Sequence, residues 1–351
     1  MTTDVPAKKM ARCLQRLREI GDQQVLDLPR IGSWPATRHR FRKQDLSALR
    51  AAMAAERPLL IRGEPGIGKS QLARAAAHVL KWPFLSQVIN ARCECSDLLY
   101  DYDAVSRLAQ AQILRPTDSE QNWHDKLRQS HFVRPGILWR AFNWPSALKQ
   151  SQEYYAKAHD SCPARQPAAV SPPTPPGWEP GDGCVVLIDE IDKADTDVPN
   201  GLLEALGNLG FDVPYTGESV AQPEGDMPPL VVVTTNQERE LPMAFLRRCL
   251  VYPMKLEDED GGPQEFLVKR GRDHFDDRIA KTIYQSAAEQ LLQQRKQLSE
   301  PGQLKPGVAE YLDLLRALTQ LCEAEDERQQ KDVLNEIKKL AFDKNSRELG
   351  W

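Results

Sequence analysis

A glycine-rich stretch between two apolar runs most strongly constrains what this chain can fold into. Residues 63–70 have the sequence GEPGIGKS and fit the phosphate-binding pattern G-x-x-x-x-G-K-[ST]. The preceding residues 58–61 (PLLI) are typical of a short buried strand, and residues 71–80 carry apolar side chains at helical spacing. A strand, a loop and a helix in this order predict a phosphate-binding loop, because a chance glycine-rich loop would lack both flanking elements.

The residue types in this loop fit the chemistry of phosphate binding. Glycines let backbone N–H groups close around phosphate oxygens, and the following helix adds the positive end of its dipole. We expect the Lys69 ammonium to contact the β- and γ-phosphates, and the Ser70 hydroxyl to hold Mg²⁺. The predicted nucleotide-binding residues are Gly63, Glu64, Pro65, Gly66, Ile67, Gly68, Lys69, Ser70 and Gln71.

A second apolar run ends in two adjacent carboxylates. Residues 184–188 (CVVLI) form the most strand-like run of the chain, and Asp189 and Glu190 follow directly. In open α/β sheets ligands bind at the carboxyl ends of strands, so we expect Asp189 to hold Mg²⁺ and Glu190 to orient or deprotonate an attacking water. Asn236, after the apolar run 230–235, is predicted to polarise the same water. The alternative for the two carboxylates is a helix cap.

Composition limits the classes of protein that this chain can represent. The 351 residues, 41% of them apolar, are enough for two packed domains, and the net charge of −4 does not favour nonspecific binding to nucleic acid or to an anionic membrane. The seven cysteines include no C-x-x-C pair, and we find neither a signal peptide nor an apolar run of membrane-spanning length. We therefore expect a cytoplasmic protein with no membrane partner.

Changes in sequence pattern predict three domains. We expect an N-terminal arm at residues 1–42, an α/β core with a parallel sheet at 43–255, and a helical domain at 256–351 that follows the acidic run 257–260. Three insertions interrupt the predicted core at about 100–132, 145–183 and 211–229. Seven prolines within residues 163–183 predict that the second insertion is disordered, and the third is predicted to be a β-hairpin.

Four motifs in order resemble those of MoxR-like AAA+ ATPases over roughly residues 41–317. They are GEPGIGKSQLA (63–73), VVLIDEIDKAD (185–195), VVVTTNQ (231–237) and LPMAFLRRC (241–249). The resemblance implies an AAA+ P-loop αβα core with a parallel sheet, a smaller all-α C-terminal lid, and hydrolysis of ATP with Mg²⁺. In the fourth motif Arg248 matches the arginine finger of the family, whereas Arg247 replaces an aspartate, so both arginines are candidates.

The resemblance also implies an assembly and a partner. A finger is normally supplied by a neighbouring subunit, which implies a homo-oligomeric ring, usually a hexamer. Family members typically act on partners with a von Willebrand factor A domain, and the insertions at about 100–132 and 211–229 match their remodelling elements. Residues 303–309 (QLKPGVA) resemble the start of the sensor 2 helix, but the arginine often found beside the proline is missing, which makes Lys305 the nearest candidate cation.

Three functions fit these features. The first is a chaperone-like ATPase that remodels or activates a partner protein, and the second is the motor of a bacterial defence or nucleic-acid-directed system that acts through an effector. The third is a scaffold that binds ATP but hardly hydrolyses it. The run DKAD at residues 192–195 resembles the guanine-reading motif of GTPases. Because it directly follows the two carboxylates, where the chain turns away from the γ-phosphate, we do not predict GTP as the ligand.

Overall fold

The computed structural model describes residues 4–21, 24–113, 124–161, 171–256, 261–298, 305–324 and 326–342. The strands in this part of the chain are β1 (Val25–Leu28), β2 (Thr37–Arg40), β3 (Leu59–Arg62), β4 (Phe84–Val88), β5 (Tyr100–Tyr102), β6 (Val133–Pro135), β7 (Val185–Asp189), β8 (Gly210–Val213), β9 (Glu218–Ala221), β10 (Leu230–Thr235) and β11 (Leu250–Pro253). The α-helices are α1 (Asp4–Glu19), α2 (Lys43–Ala54), α3 (Lys69–Leu80), α4 (Cys95–Leu99), α5 (Ala104–Ile113), α6 (Ile137–Phe142), α7 (Trp144–Ser161), α8 (Asp197–Asn208), α9 (Met243–Arg248), α10 (Gly262–Phe275), α11 (Lys281–Gln297), α12 (Val308–Leu321) and α13 (Glu327–Phe342).

Contacts divide the chain into two compact units. The first comprises Met1–Ile20, Gln44–Leu60 and Ala73–Tyr252, and the second comprises Gly21–Lys43, Ile61–Leu72 and Pro253–Trp351. This division differs from the domain boundaries that we predicted at residues 42 and 255. The glycine-rich loop belongs to the same unit as the C-terminal helices, and the predicted N-terminal arm contributes to both units.

A five-stranded sheet organises the first unit. Its strand order is β11-β3-β10-β7-β4. Strand β7 pairs in parallel with β10, where Val185 lies opposite Leu230, and with β4, where Val185 lies opposite Phe84. The first four residues of β7 and all six of β10 are buried, as expected of strands that are covered on both faces. The predicted α/β core with a parallel sheet is therefore confirmed.

The insertions of the first unit form small β-structures beside this sheet. Strands β5 and β6 pair antiparallel, and α5 follows β5, while residues 114–123 of the first predicted insertion lie outside the described residues. Strands β8 and β9 form an antiparallel hairpin where the sequence predicts one. The ring of Phe211 in β8 packs edge-on against Trp139 in α6, with centroids 6.0 Å apart. Aromatic packing thus fixes the hairpin on the buried core of this unit.

The prediction of a disordered insertion at about 145–183 is wrong for most of its described part. Residues 145–161 belong to helix α7, and residues 171–183 make specific contacts, while residues 162–170 lie outside the described residues. The Trp178 indole donates to the carbonyl oxygen of Gly183 at 2.8 Å. It also packs against the Trp144 ring, with the ring centroids 4.8 Å apart. Asp182 pairs with Lys9 of α1 at 2.9 Å. A tryptophan buries the apolar surface that prolines and small residues do not provide.

The second unit confirms the predicted helical C-terminal part. Helices α10 to α13 enclose buried aromatic side chains, with Tyr311 fully buried and Tyr284 nearly so. Gly271 allows close packing of α10, since a Cβ there would lie 2.7 Å from the Leu315 side chain. The β1–β2 hairpin belongs to this unit, where Arg40 forms two hydrogen bonds with Asp273. None of the described helices combines the length and apolarity needed to span a membrane.

Candidate functional site

The glycine-rich loop connects β3 to α3 in a conformation that requires glycine. Gly66 and Gly68 have φ angles of +76° and +109°, a region in which a side chain is strained. A Cβ on Gly63 would collide with the carbonyl oxygen of Met254, so this position also excludes larger residues. Ile67 is 3% exposed and anchors the loop, while residues 64–66 are exposed. The buried Ile67 side chain therefore holds the loop in place, whereas residues 64–66 are exposed to solvent.

Lys69 lies at the first position of α3 and is almost completely buried. Its ammonium donates to the carbonyl oxygens of Gly63 at 2.7 Å and Glu64 at 2.9 Å. Ser70 and Gln71 follow in the first turn and are half-buried. The loop thus combines a fixed cation with the positive end of a helix dipole, which is an arrangement suited to a phosphate group.

The second unit contains a contact that the sequence analysis missed. Arg295 in α11 is buried, and its guanidinium forms an ion pair with the carboxylate of Glu64, with Nη1 2.7 Å from Oε2. Lys305, the lid cation predicted from the sequence, is exposed. Arg295 lies ten residues upstream of Lys305 and outside the motifs described above. No sequence signal therefore indicated that it contacts Glu64.

In the first unit, Asp189 and Glu190 occupy the carboxyl end of β7, as predicted. The hydroxyl of Thr234, on the neighbouring strand β10, donates to Asp189 Oδ1 at 2.6 Å and accepts the backbone N–H of Glu190 at 2.9 Å. Thr234 is completely buried. A single hydroxyl therefore bonds to both acidic residues. In the sequence it is marked only as one of two threonines that follow the apolar run 230–233.

Two polar side chains contact the carboxylate of Glu190. Asn236 Nδ2 donates to Glu190 Oε1 at 3.0 Å, and Lys193 Nζ donates to Oε2 at 2.5 Å. The hydrogen bond with Glu190 raises the pKa of Lys193, so the lysine stays charged beside this carboxylate. Glu190 has a left-handed backbone with φ of 61°, which is unusual for a residue with a side chain. The structure thus brings Glu190 and Asn236 together, as the sequence predicted.

Asp192 supports this arrangement from a buried position. Its carboxylate accepts the backbone N–H groups of Asn236, at 3.2 Å to the nearer oxygen, and of Glu238, at 2.9 Å. Asp192 is 2% exposed. The residues of the DKAD run therefore have local partners in the first unit: Asp192 fixes the turn after β10, and Lys193 pairs with Glu190.

The two candidate arginine fingers lie at the end of α9. Both are exposed, and Arg248 Nη1 donates to the carbonyl oxygen of Leu203 in α8 at 2.6 Å. Arg57 donates to the backbone carbonyl oxygens of both Arg247 and Arg248. Arg57 and Arg248 line a cavity of about 690 Å³ in the first unit, together with Glu204. Arg57 therefore stabilises the end of the helix that carries both candidates.

A comparison with protein families identifies the core of this chain. The family model for the AAA domain (dynein-related subfamily) matches residues 58–249, which is more than half of the chain. The match includes the glycine-rich loop, the two carboxylates, Asn236 and both candidate fingers. No curated protein matches the chain.

Solved structures resemble the chain at low identity. One is described as a "putative ATPase" from Cytophaga hutchinsonii, with 12% identity and a TM-score of 0.37 over 95% of this chain and 63% of the other. This chain thus spans less than two thirds of the length of that protein. Another is the RuvB Holliday junction branch migration motor of Thermotoga maritima, with 14% identity and a TM-score of 0.40 over 84% of this chain and 67% of the other.

Proposed function

Since the chain belongs to the AAA domain family, dynein-related subfamily, we propose that it is an ATP hydrolase of the MoxR-like type. In this proposal it couples hydrolysis of Mg-ATP to the remodelling or activation of a partner protein. The observation that carries the proposal is the pair of carboxylates at the end of β7, which Thr234 and Asn236 hold in place from β10 and the turn after it.

Binding of ATP is supported by the glycine-rich loop. The N–H groups of residues 66–70 and the buried Lys69 ammonium provide donors and positive charge for the β- and γ-phosphates. Ser70 and Asp189 supply a hydroxyl and a carboxylate, the hard oxygen ligands that Mg²⁺ prefers. When bound, the ion neutralises charge on the phosphate oxygens during phosphoryl transfer.

Hydrolysis is assigned to Glu190. Its carboxylate accepts a proton from the attacking water while the water oxygen bonds to the γ-phosphorus and the bond to the β,γ-bridging oxygen breaks. Asn236 donates to one carboxylate oxygen and Lys193 to the other, so the orientation of the carboxylate is fixed. These contacts support an enzyme that hydrolyses ATP rather than a scaffold that only binds nucleotide, because a scaffold does not need an oriented base.

We propose that the chain forms a homo-oligomer and acts on a partner protein. Arg248 and Arg247 are exposed at the end of α9, which suits a residue that acts on the nucleotide of a neighbouring subunit in a ring. The proposed ring is a hexamer in the cytoplasm. The proposed partner is a protein with a von Willebrand factor A domain, contacted by the segments around β5–β6 and β8–β9.

ATP turnover and ATP binding in three forms of the chain test this function. The wild type should hydrolyse ATP, Glu190→Gln should bind ATP without turnover, and Lys69→Ala should not bind it. We would measure phosphate release and calorimetric affinity for all three, and then use Glu190→Gln with ATP to capture the partner from the native host. Near wild-type hydrolysis by Glu190→Gln would refute the assignment of the catalytic base.

A further inference from the structure

Arg295 contacts the glycine-rich loop in a geometry that fixes both partners. Nη2 donates to Glu64 Oε1 at 3.0 Å, and Nη1 lies 2.7 Å from Oε2. Two parallel N–H···O interactions between a guanidinium and a carboxylate set distance and orientation together. The Arg295 side chain is 7% exposed, whereas that of Glu64 is 46% exposed. The ion pair is therefore largely shielded on the lid side and open on the loop side.

Arg295 also joins the loop to a second lid segment. Its Nη1 donates to the carbonyl oxygen of Pro306 at 2.9 Å, just before α12 begins. In α12, Ala309 touches the loop directly, since a Cβ on Gly66 would lie 2.7 Å from the Ala309 Cβ. The same arginine therefore holds both the loop and the lid segment that packs on it.

Glu64 connects this ion pair to Lys69. Its carboxylate binds Arg295, and its backbone carbonyl accepts the Lys69 ammonium at 2.9 Å. A movement of Glu64 would therefore displace an acceptor of the lysine expected to meet the phosphates. Glu64 also carries a negative charge on the loop itself, which would repel a triphosphate if Arg295 did not neutralise it.

From these contacts, and on the basis of the proposed function, we infer that Arg295 is a positioning residue for the nucleoside triphosphate. It acts through Glu64: it holds Glu64 and Lys69 in place and cancels the negative charge that Glu64 brings to the phosphate-binding loop. Arg295 thereby provides the lid cation that the sequence analysis sought at Lys305.

The inference predicts an unusual pattern of ATP affinities. Arg295→Gln should weaken ATP binding about tenfold, because it leaves Glu64 without its ion-pair partner beside the phosphates. Glu64→Gln should weaken it less, and Glu64→Gln combined with Arg295→Gln should recover part of the loss, because the repelling charge is gone. The affinity for AMP should change little in any of these variants, since AMP has no β- and γ-phosphates for Lys69 to meet.

Calorimetric titration of the full chain with ATP and with AMP measures this pattern. Arg316→Gln is the matched control, because Arg316 is a lid arginine that pairs with Asp313 at 2.7 Å on the exposed surface of α12. It should bind both nucleotides like the wild type. If Arg295→Gln does not fold, Arg295→Lys tests the positioning of Glu64 alone, because it keeps the charge but loses the bidentate geometry. It should weaken ATP binding, but by less than about tenfold.

Several outcomes would overturn the inference. If Arg295 instead contacts the phosphates directly, Glu64→Gln should tighten ATP binding, and the double variant should be as weak as Arg295→Gln. If Arg295 is only structural, Arg295→Gln should lower thermal stability with unchanged ATP affinity. A wild-type chain that does not bind ATP would refute the proposed function itself. Normal ATP binding by both Arg295→Gln and Arg295→Lys would refute this inference alone.

Discussion

The Thr234 hydroxyl offers a sharp test of how the two carboxylates are held. It donates to Asp189 at 2.6 Å and accepts the N–H of Glu190 at 2.9 Å, and the side chain is completely buried. Thr234→Val preserves the shape of the side chain but removes both hydrogen bonds. The partly buried N–H group of Glu190 then has no acceptor at this position, and Asp189 loses a donor.

The expected loss of stability follows from these two hydrogen bonds. An unsatisfied buried amide costs about 1–3 kcal/mol, and a hydrogen bond to a charged group contributes about 1.5–3 kcal/mol. Since both involve one hydroxyl, we expect the free energy of unfolding to fall by about 2–4 kcal/mol in total. Turnover should fall about 10- to 100-fold, because Glu190, with φ of 61°, depends on this bond for its orientation.

Urea unfolding and steady-state ATP hydrolysis measure these two effects. Thr234→Ser keeps the hydroxyl and should retain most of the turnover. Thr235→Val is the matched control, because Thr235 is equally buried and its hydroxyl accepts the N–H of Gln237 at 2.9 Å. It should lower stability while turnover changes much less. Wild-type stability and turnover in Thr234→Val would refute the role of this hydroxyl.

Three further predictions address other parts of the chain. Arg248→Ala should lower turnover about 10³-fold or more with little change in ATP affinity, and mixing it with Lys69→Ala should restore part of the activity; no rescue despite subunit exchange would contradict a finger that acts between subunits. Burial, followed by the charge of Arg270, lowers the pKa of His274 from 6.5 to about 4. His274 should therefore not affect the free energy of unfolding above pH 6.5. As the pH drops toward 4, its protonation in the unfolded state should lower that free energy by up to about 3 kcal/mol. His274→Gln should flatten this fall in urea unfolding. Trp178→Ala should lower the free energy of unfolding by about 2 kcal/mol, measured in the same way, whereas a disordered segment would show no change.

Local patterns in the sequence predicted much of the fold. Apolar runs of strand length located β3, β7 and β10, and the glycine spacing located the loop before α3. These predictions succeeded because strand burial and the backbone conformation of glycine depend on a few consecutive residues. The roles of Lys69, Glu190, Asn236 and the two arginines stay predictions that the variants above test.

Composition was a weaker guide than pattern. Seven prolines favoured disorder for residues 163–183, yet the described residues 171–183 are held by the Trp178 indole and by the ion pair of Asp182 with Lys9. The Trp178 ring packs against Trp144, and Asp182 pairs with Lys9 on α1. Both contacts join residues that are far apart in sequence, and composition does not identify such contacts. One aromatic residue with a distant partner therefore outweighed the average property of the segment.

The sequence by itself determined the fold class and the chemical groups of the candidate site. The tertiary structure alone decided which other residues support those groups: Thr234 for both carboxylates, Asp192 for the turn that carries Asn236, and Arg295 for Glu64. Each of these contacts joins residues at least 44 positions apart. A phosphate-binding loop is encoded locally because its backbone must adopt a particular conformation, whereas the partner of a buried charge is set by whichever side chain the fold brings within hydrogen-bonding distance.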